Sequence, residues 1–310
     1  MKVLLIGIGQ WGQNHIRVLS ELRQDLYVVD KDEKRLEKCD VFNISKNKLG
    51  TDYKKFLKEV DAVVLVTPTS THYKLCKEFL EAGKDVFVEK PIAETLNEIK
   101  ELVEIADKKK RILMVGHIFV HNPATKFAKE YIDSGKLGKV YCAFGSFSGL
   151  KDLREDSGTM LNYGVHHASI FNYLFGKPTK VYGFNQHFLR EKYEDFTIGV
   201  MKHGDVLTYF DCSWLSPGKE RTLTIIGSEG SLIIDLLNQK VLVNHGHHTN
   251  GKIKQGVVED VSDAFVKFVE PLNSELKQFV DCVKDRKQPL TDGKHALEVM
   301  ETLSQFGVLK

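Results

Sequence analysis

The sequence predicts an α/β protein in two parts, a doubly wound parallel sheet followed by an α+β domain with a mostly antiparallel open sheet. Three observations lead to this prediction. Short apolar runs alternate with amphipathic segments as far as about residue 116. A glycine-rich turn follows the first of these runs. After Pro123 the alternation gives way to closely spaced strand-like segments.

The predicted strands of the first part are rich in branched residues and do not alternate, as expected for strands that are buried on both faces. They read VLLIGI, LYVVD, DAVVLVT, DVFVEK and ILMVG. The amphipathic segments between them predict helices at 12–22, 53–60, 72–82 and 94–109. Strands that alternate with helices indicate βαβ units.

The second part begins with a predicted helix at 124–134. The predicted strands that follow read KVYCAFGSFS, KVYGFNQ, FTIGVMK, VLTYFDCSW, RTLTIIG and SLIIDLL. Turn signals such as HGD and GSEG separate several pairs, which favours antiparallel pairing. Two helices, at 272–284 and 294–305, are predicted to close the chain.

The whole chain has the composition of a globular protein and is long enough for two domains. Its 310 residues exceed a typical domain of about 100–200 residues, and we expect domains at 1–118 and 119–310. The net charge is +2 with no basic stripe, so nucleic acid is not an expected partner. The apolar run in MKVLLIGIG is too short for a secretion signal, and no membrane span is expected. Five scattered cysteines without a CxxC pair suit the cytoplasm.

The run GIGQWG, at 7–12, has the GxGxxG spacing of a dinucleotide-binding turn of the Rossmann type. Gly7 allows a tight turn, Gly9 allows the backbone to approach a pyrophosphate, and Gly12 allows the helix to pack closely on the strand. The next strand ends in Asp30, 18 residues beyond Gly12, where a carboxylate can accept hydrogen bonds from both adenosine ribose hydroxyls. NAD is therefore the expected cofactor, and the neighbouring Lys31 leaves NADP open as an alternative.

Two further loops follow predicted parallel strands. TPTSTH, at 67–72, follows DAVVLV, and EKP, at 89–91, follows DVFV. Open parallel sheets bind ligands at the carboxyl ends of their strands, so both loops are expected to face the cofactor. Low-dielectric surroundings can tune the pKa of a lysine such as Lys90 at the end of a buried strand.

These motifs, together with VGHIFVHNPA, CSWLSPGKERTLTIIGSEGSL and the tail from EPLNSELKQF to KHAL, resemble the glucose-fructose oxidoreductase and inositol dehydrogenase family, Gfo/Idh/MocA, over nearly the whole chain. The resemblance implies a nicotinamide-dependent dehydrogenase or reductase of sugars, nucleotide sugars or polyols. It also implies a homodimer or homotetramer formed through the C-terminal sheet. The residues that it assigns to the cofactor are Gly7, Gly9, Gln10, Trp11, Gly12, Asp30, Lys31, Thr67, Pro68, Thr69, His72, Glu89, Lys90 and His117.

The same resemblance assigns the catalytic roles to Lys90, His166 and the residue four positions before that histidine, which is Asn162 where the family usually has aspartate. Asparagine cannot take up a proton, so we expect it to orient a hydroxyl or the imidazole. At about 100° per residue, Asn162, His166, Ser169 and Tyr173 share one helical face, and His167 points elsewhere. Gly164 within this helix suggests that the nicotinamide or the sugar approaches closely there.

The hypothesis is a reversible oxidation in which His166 acts as general base while Lys90 stabilises the developing alkoxide. Two alternatives stay open: Lys90 alone transfers the proton, or the chain is a non-enzymatic dinucleotide sensor of the same fold. A metal site in NHGHHTN is not favoured, because His245, His247 and His248 are expected in an exposed loop with no carboxylate or cysteine close by in sequence.

Overall fold

The computed structural model describes residues 1–153 and 157–307, in two compact units. The first unit contains Met1–Ile118 and Leu272–Leu297, and the second contains Phe119–Pro271 and the residues from Glu298 onward. Within the described ranges, every helix is too short or too polar to cross a lipid bilayer.

The first unit contains six strands, four α-helices between them and several short 3-10 helices. The strands are β1 (Lys2–Ile6), β2 (Asp25–Val29), β3 (Leu49–Gly50), β4 (Ala62–Leu65), β5 (Asp85–Glu89) and β6 (Leu113–Gly116). The helices are α1 (Gly12–Glu21), α2 (Glu33–Leu36), α3 (Thr69–Glu81) and α4 (Leu96–Lys109). The 3-10 helices are Glu37–Phe42, Lys46–Lys48, Tyr53–Lys55 and Ile118–His121, the last of which runs into the second unit.

All neighbouring strands of this sheet are parallel, in the order β3-β2-β1-β4-β5-β6. The prediction of a doubly wound sheet is confirmed, because the strand order reverses direction between β1 and β4. Every residue of β4 is buried, as are Val3 to Ile6 of β1, which explains why these runs do not alternate. A capping box at Thr95 and Glu98 fixes the start of α4.

The helix predicted at 53–60 is wrong. Only Tyr53–Lys55 forms a 3-10 turn, and the chain then continues as turns to Val60. The ring of Phe56 packs on Tyr27 of β2 at 5.3 Å, so a tertiary contact holds this segment outside regular helix geometry. A helix of two turns has little stability of its own to oppose that contact.

The first unit is completed by a segment that is distant in sequence. It consists of α7 (Pro271–Asp285), which enters the unit at Leu272, and the first part of α8 (Gly293–Ser304). Leu272, Leu276 and Phe279 belong to the same hydrophobic core as β1 and α1. The expected domains at 1–118 and 119–310 therefore do not account for Leu272–Leu297, which rejoin the first unit.

Among the described residues, the second unit contains two whole helices, the end of α8, a π-helical turn and eight strands. The helices are α5 (Pro123–Asp133) and α6 (Val165–Phe175), and the π-helical turn is Met160–Gly164. The strands are β7 (Val140–Ser148), β8 (Lys180–Gln186), β9 (Phe196–His203), β10 (Val206–Ser213), β11 (Glu220–Gly227), β12 (Gly230–Asp235), β13 (Lys240–His248) and β14 (Gly256–Ala264). Their order is β14-β13-β12-β11-β7-β10-β9-β8, and each neighbouring pair is antiparallel except β7 and β10.

The hairpin of β13 and β14 was not predicted. His245, His247 and His248 lie on β13, so the expectation of an exposed loop is wrong. His247 Nδ1 is 3.2 Å from Glu259 Oε1, a carboxylate that is distant in sequence and lies on β14. Cross-strand pairing outweighs the polar composition of this stretch. The described residues contain no group of three or more His, Cys, Asp and Glu side chains arranged to hold a metal ion.

Candidate active site

The glycine turn between β1 and α1 has the geometry that its sequence predicts. Gly7 lies at φ +92°, in the left-handed region, and a Cβ on it would stand 2.5 Å from the Val66 carbonyl oxygen. A Cβ on Gly12 would overlap the Gly7 carbonyl oxygen. Neither position accepts another residue without a backbone shift.

The turn also fits a dinucleotide. The nearest described atom to a Cβ built on Gly9 would be Arg35 Nη1, at 3.8 Å, so the backbone is open to a ligand there. No side chain caps α1 at Trp11, and the first turn of α1 contains no acidic residue. The N–H groups and the positive end of this helix dipole therefore remain available to a pyrophosphate. Gln10 in the turn is exposed.

Asp30 lies directly after β2, beside the glycine turn. Its side chain is buried, with Oδ2 accepting from the Ile8 amide at 2.8 Å and Oδ1 accepting from the Asp32 amide at 2.9 Å. Each carboxylate oxygen can accept a second hydrogen bond, so the group retains capacity for ribose hydroxyls. The nearby cation is Arg35, whose Nη1 is 3.6 Å from Asp30 Oδ2, whereas Lys31 is exposed.

The TPTSTH loop is tied to the EKP loop by His72. This ring is buried, with Nε2 2.8 Å from the Thr67 carbonyl oxygen and Nδ1 2.8 Å from the Pro91 carbonyl oxygen. Burial lowers the pKa of His72, against the two carbonyls that raise it. A neutral ring donates to one carbonyl at a time, so His72 connects the two loops. Pro68 and Thr69 stand at the start of α3.

Glu89 joins the EKP loop to the glycine turn. Its Oε1 accepts from Trp11 Nε1 at 2.7 Å and is 2.8 Å from His15 Nε2. Its Oε2 accepts from the Lys90 amide at 3.2 Å. The next position, Pro91, follows a cis peptide bond. The ends of β1, β4 and β5 thus bring the predicted cofactor loops to one edge of the sheet.

His117 follows β6 and is buried, with its ring edge-on to His295 at 5.4 Å. Burial lowers the pKa of His295 to about 4. His117 therefore packs against His295 inside the first unit.

In the second unit, Asn162 lies in the π-helical turn. Its Nδ2 donates to Ser157 Oγ at 2.8 Å and to the Gly158 carbonyl oxygen at 3.2 Å. Because the Gly158 carbonyl can only accept a hydrogen bond, the side-chain atom of Asn162 that faces it must be the amide nitrogen. An ionised aspartate could not make either donation, so the local structure accounts for asparagine at this position.

His166 begins the regular turns of α6 and is 9 % exposed. Its ring packs edge-on against Phe119, with the centroids 4.9 Å apart. His167 is fully inside the unit, stacked on Phe210 at 4.8 Å, and burial first, with the charge of Arg221 second, lowers its pKa to about 3. The two histidines therefore differ in environment, as their helical positions predict.

Two details of this helix differ from the sequence prediction. The π-helical winding at Met160–Gly164 breaks the regular 100° spacing, so the single stripe from Asn162 to Tyr173 is not continuous. A Cβ on Gly164 would overlap Met160 Sδ, so the close neighbour of this glycine is a side chain of the unit's own core. The suggested approach of nicotinamide or sugar at Gly164 is not needed to explain it.

Sequence reasoning missed Arg35 and His15. Arg35 lies in the short helix α2, five residues after Asp30. The only signal for it in the sequence is that it is a basic residue shortly after the end of a strand. His15 lies four residues after Trp11, and its partner Glu89 is 74 positions away. No local pattern reveals that contact.

Comparisons with known proteins agree with the motifs. Residues 1–117 match the oxidoreductase family model described as an NAD-binding Rossmann fold, and residues 125–233 match the Gfo/Idh/MocA C-terminal domain model. The chain belongs to the Gfo/Idh/MocA family of NAD-binding oxidoreductases.

Within this family, the chain is 32 % identical over 250 residues to scyllo-inositol 2-dehydrogenase (NAD(+)) of Bacillus subtilis, covering 74 % of this chain and 70 % of that one. It is 22 % identical to UDP-N-acetylglucosamine 3-dehydrogenase of Acidithiobacillus ferrooxidans, covering 99 % and 96 %. A solved structure of that enzyme has a TM-score of 0.85 at 21 % identity, covering 99 % and 97 %, and supports the same fold. The family identified from the sequence motifs is confirmed.

Proposed function

We propose that the protein catalyses the reversible NAD-dependent oxidation of a secondary hydroxyl on a sugar, nucleotide sugar or polyol. The observation that carries this proposal is the Glu89 carboxylate, which links Trp11 of the glycine turn to the residue that bears the Lys90 side chain. The family and its relatives that act on inositol and UDP-N-acetylglucosamine support the reaction class.

NAD would be held by the glycine turn, the open end of α1, Asp30 and the loops at Thr67 and Glu89. When bound, it supplies the acceptor for the hydride that leaves the carbinol carbon. Asp30, which two backbone amides hold in place, would accept hydrogen bonds from the adenosine ribose hydroxyls, which favours NAD. Arg35 offers a counter-charge at the same place, and through it NADP would be accepted as the weaker cofactor.

In the proposed chemistry, the substrate O–H loses its proton to His166, which acts as general base. Lys90 donates a hydrogen bond to the same oxygen and stabilises the negative charge that develops on it. Asn162 accepts or donates a hydrogen bond to orient the hydroxyl or the imidazole. The alternative in which Lys90 itself moves the proton predicts that His166→Ala retains the proton transfer and loses substrate affinity.

The test begins with the purified protein. Nicotinamide absorbance carried through purification, or NAD affinity measured by titration, checks the cofactor, and a screen of sugars, polyols and UDP-sugars for NAD reduction checks the reaction. Lys90→Ala and His166→Ala should lose turnover while binding NAD normally, and near-normal turnover in either variant would refute the role of that residue. Bound NAD without turnover on any compound would favour the dinucleotide sensor.

We propose that the chain forms a homodimer or homotetramer through the second unit's sheet. Helices α5 and α6 contact one face of the sheet at β12 and β10. On the opposite face, large exposed apolar side chains lie on several strands, and Phe184 is in register with Ile198 and Ile233 with Leu242. They include Phe184, Ile198, Tyr209, Ile233 and Leu242.

An exposed apolar surface of this kind is typical of an association site. Light scattering coupled to size exclusion should report more than one chain, and Phe184→Glu with Ile198→Glu should give a monomer. A wild-type monomer would refute the proposal. A cytoplasmic location is proposed from the free cysteines, of which Cys39, Cys76, Cys212 and Cys282 are buried.

A further inference from the structure

A buried histidine stands behind the EKP loop. His15 of α1 is fully buried, and its ring centroid lies 5.6 Å from that of Phe87 on β5 and 6.2 Å from that of Trp11. Its Nε2 is 2.8 Å from Glu89 Oε1. Because a carboxylate only accepts hydrogen bonds, this nitrogen carries the proton and donates it. A group with no exposed surface influences the site through the residues that it touches.

Glu89 transmits that contact to the loop. The carboxylate side chain is 14 % exposed and accepts two side-chain N–H groups on the same oxygen, from His15 and from Trp11 at 2.7 Å. Its second oxygen accepts the Lys90 amide at 3.2 Å. The carboxylate is therefore held from α1 and in turn holds the backbone of the lysine-bearing residue.

We propose that His15 is a positioning residue for Lys90, which it fixes in place by donating to Glu89. This inference rests on the function proposed above for Lys90. The ionised carboxylate of Glu89 is the negative charge next to the lysine, and a negative neighbour favours the protonated ammonium. The protonated ammonium is the form that stabilises an alkoxide.

The charges around Glu89 agree with this arrangement. Burial raises the pKa of Glu89. The hydrogen bond and charge of His15, the hydrogen bond of Trp11 and the charge of Lys90 together lower it by more, so the net shift is downward. The carboxyl group of Glu275 on α7 also interacts with Glu89. Burial first, and the charge of Glu89 second, raise the pKa of Glu275 well above its usual range. Glu89 therefore carries the charge while Glu275 keeps its proton.

The decisive experiment measures the pKa of Lys90 directly and needs no substrate. The full chain with NAD is labelled with trace acetic anhydride between pH 6 and 11, and mass spectrometry follows acetylation of Lys90. His15→Leu removes the donor, and His15→Gln retains an N–H at the end of its side chain. We expect the Lys90 pKa to change in His15→Leu, as the carboxylate beside it loses its fixed position, and to be restored in His15→Gln. An unchanged Lys90 pKa in a folded His15→Leu protein would overturn the inference.

Turnover adds a second readout once a substrate is known. A hydrogen bond to a charged group has a net value of about 1.5–3 kcal/mol, so kcat of His15→Leu should fall roughly 10-fold or more, with the alkaline limb of its pH profile displaced. The KM for NAD should stay near the wild-type value, and His15→Gln should regain most of kcat. Trp11→Phe, which removes the other N–H from the same oxygen, should change the Lys90 pKa in the same direction as His15→Leu.

The two proposals fail in different ways. If Lys90→Ala keeps near-normal turnover, the proposed catalytic role of Lys90 is wrong whatever the labelling shows. If Lys90→Ala is inactive but His15→Leu loses kcat with an unshifted profile and without rescue by glutamine, His15 serves packing alone and the inference is overturned.

Discussion

Replacing Glu275 with glutamine should make the protein more stable, by an amount that grows with pH. Glu275 is fully buried on α7, and burial together with the charge of Glu89 raises its pKa well above the usual carboxyl range. The usual pKa of about 4.3 applies to the unfolded chain. Between these two pKa values the folded chain holds a proton that the unfolded chain has released. Stability is therefore lost as pH rises through this interval.

The size of the effect follows from one proton. The free energy of unfolding of the wild type falls by up to about 1.4 kcal/mol per pH unit because of Glu275. Glutamine has a nearly identical shape and no proton to lose. From pH 6 to pH 8, the stability of Glu275→Gln relative to the wild type should increase by up to about 2.7 kcal/mol.

Urea unfolding at pH 6, 7 and 8 measures this difference. The protein has two tryptophans, Trp11 in the first unit and Trp214 in the second, so a Trp214→Phe background makes the fluorescence report the first unit. Glu59, which is exposed in the first unit, supplies the control variant Glu59→Gln, for which no pH-dependent change is expected. A relative stability of Glu275→Gln that stays constant or decreases from pH 6 to pH 8 would refute the reasoning.

Three further predictions concern the site. Asn162→Asp should lose both Nδ2 donations and about 1–3 kcal/mol of stability, and thermal unfolding equal to the wild type would contradict this. His167→Leu should leave both limbs of the pH–rate profile in place, because a pKa of about 3 keeps this ring neutral at working pH; a displaced limb would show that His167 takes part. Arg35→Ser should raise the KM for NADP more than that for NAD, and equal changes in steady-state kinetics would remove Arg35 from cofactor selection.

The sequence predicts those parts of the fold that local pattern determines. Unalternating runs identify β1, β4 and β5, because each strand is covered on both faces. The glycine turn can also be predicted from the sequence, since Gly7 and Gly12 lie where a side chain would clash with backbone atoms.

Other features depend on contacts between residues far apart in sequence. The placement of Leu276 and Phe279 in the first unit's core cannot be read from an amphipathic helix, which only shows that one face is buried. The His15–Glu89 contact spans 74 positions. No sequence pattern distinguishes the π-helical turn at Met160–Gly164 from an α-helix. A helical wheel drawn at 100° per residue therefore misplaces Asn162 relative to the residues that follow it.

The return of the chain into the first unit affects the order in which the protein can fold during synthesis. The glycine turn and Asp30 leave the ribosome early, but α7 follows only after residue 271. At translation rates of about 5–20 residues per second, the delay between residues 118 and 272 is roughly 8–30 s. Throughout that time the nascent sheet lacks Phe279, the ring that covers Phe87 at 5.8 Å in the finished protein. The second unit's strands therefore emerge while the dinucleotide half is still incomplete, and chaperones have that interval in which to bind its open core.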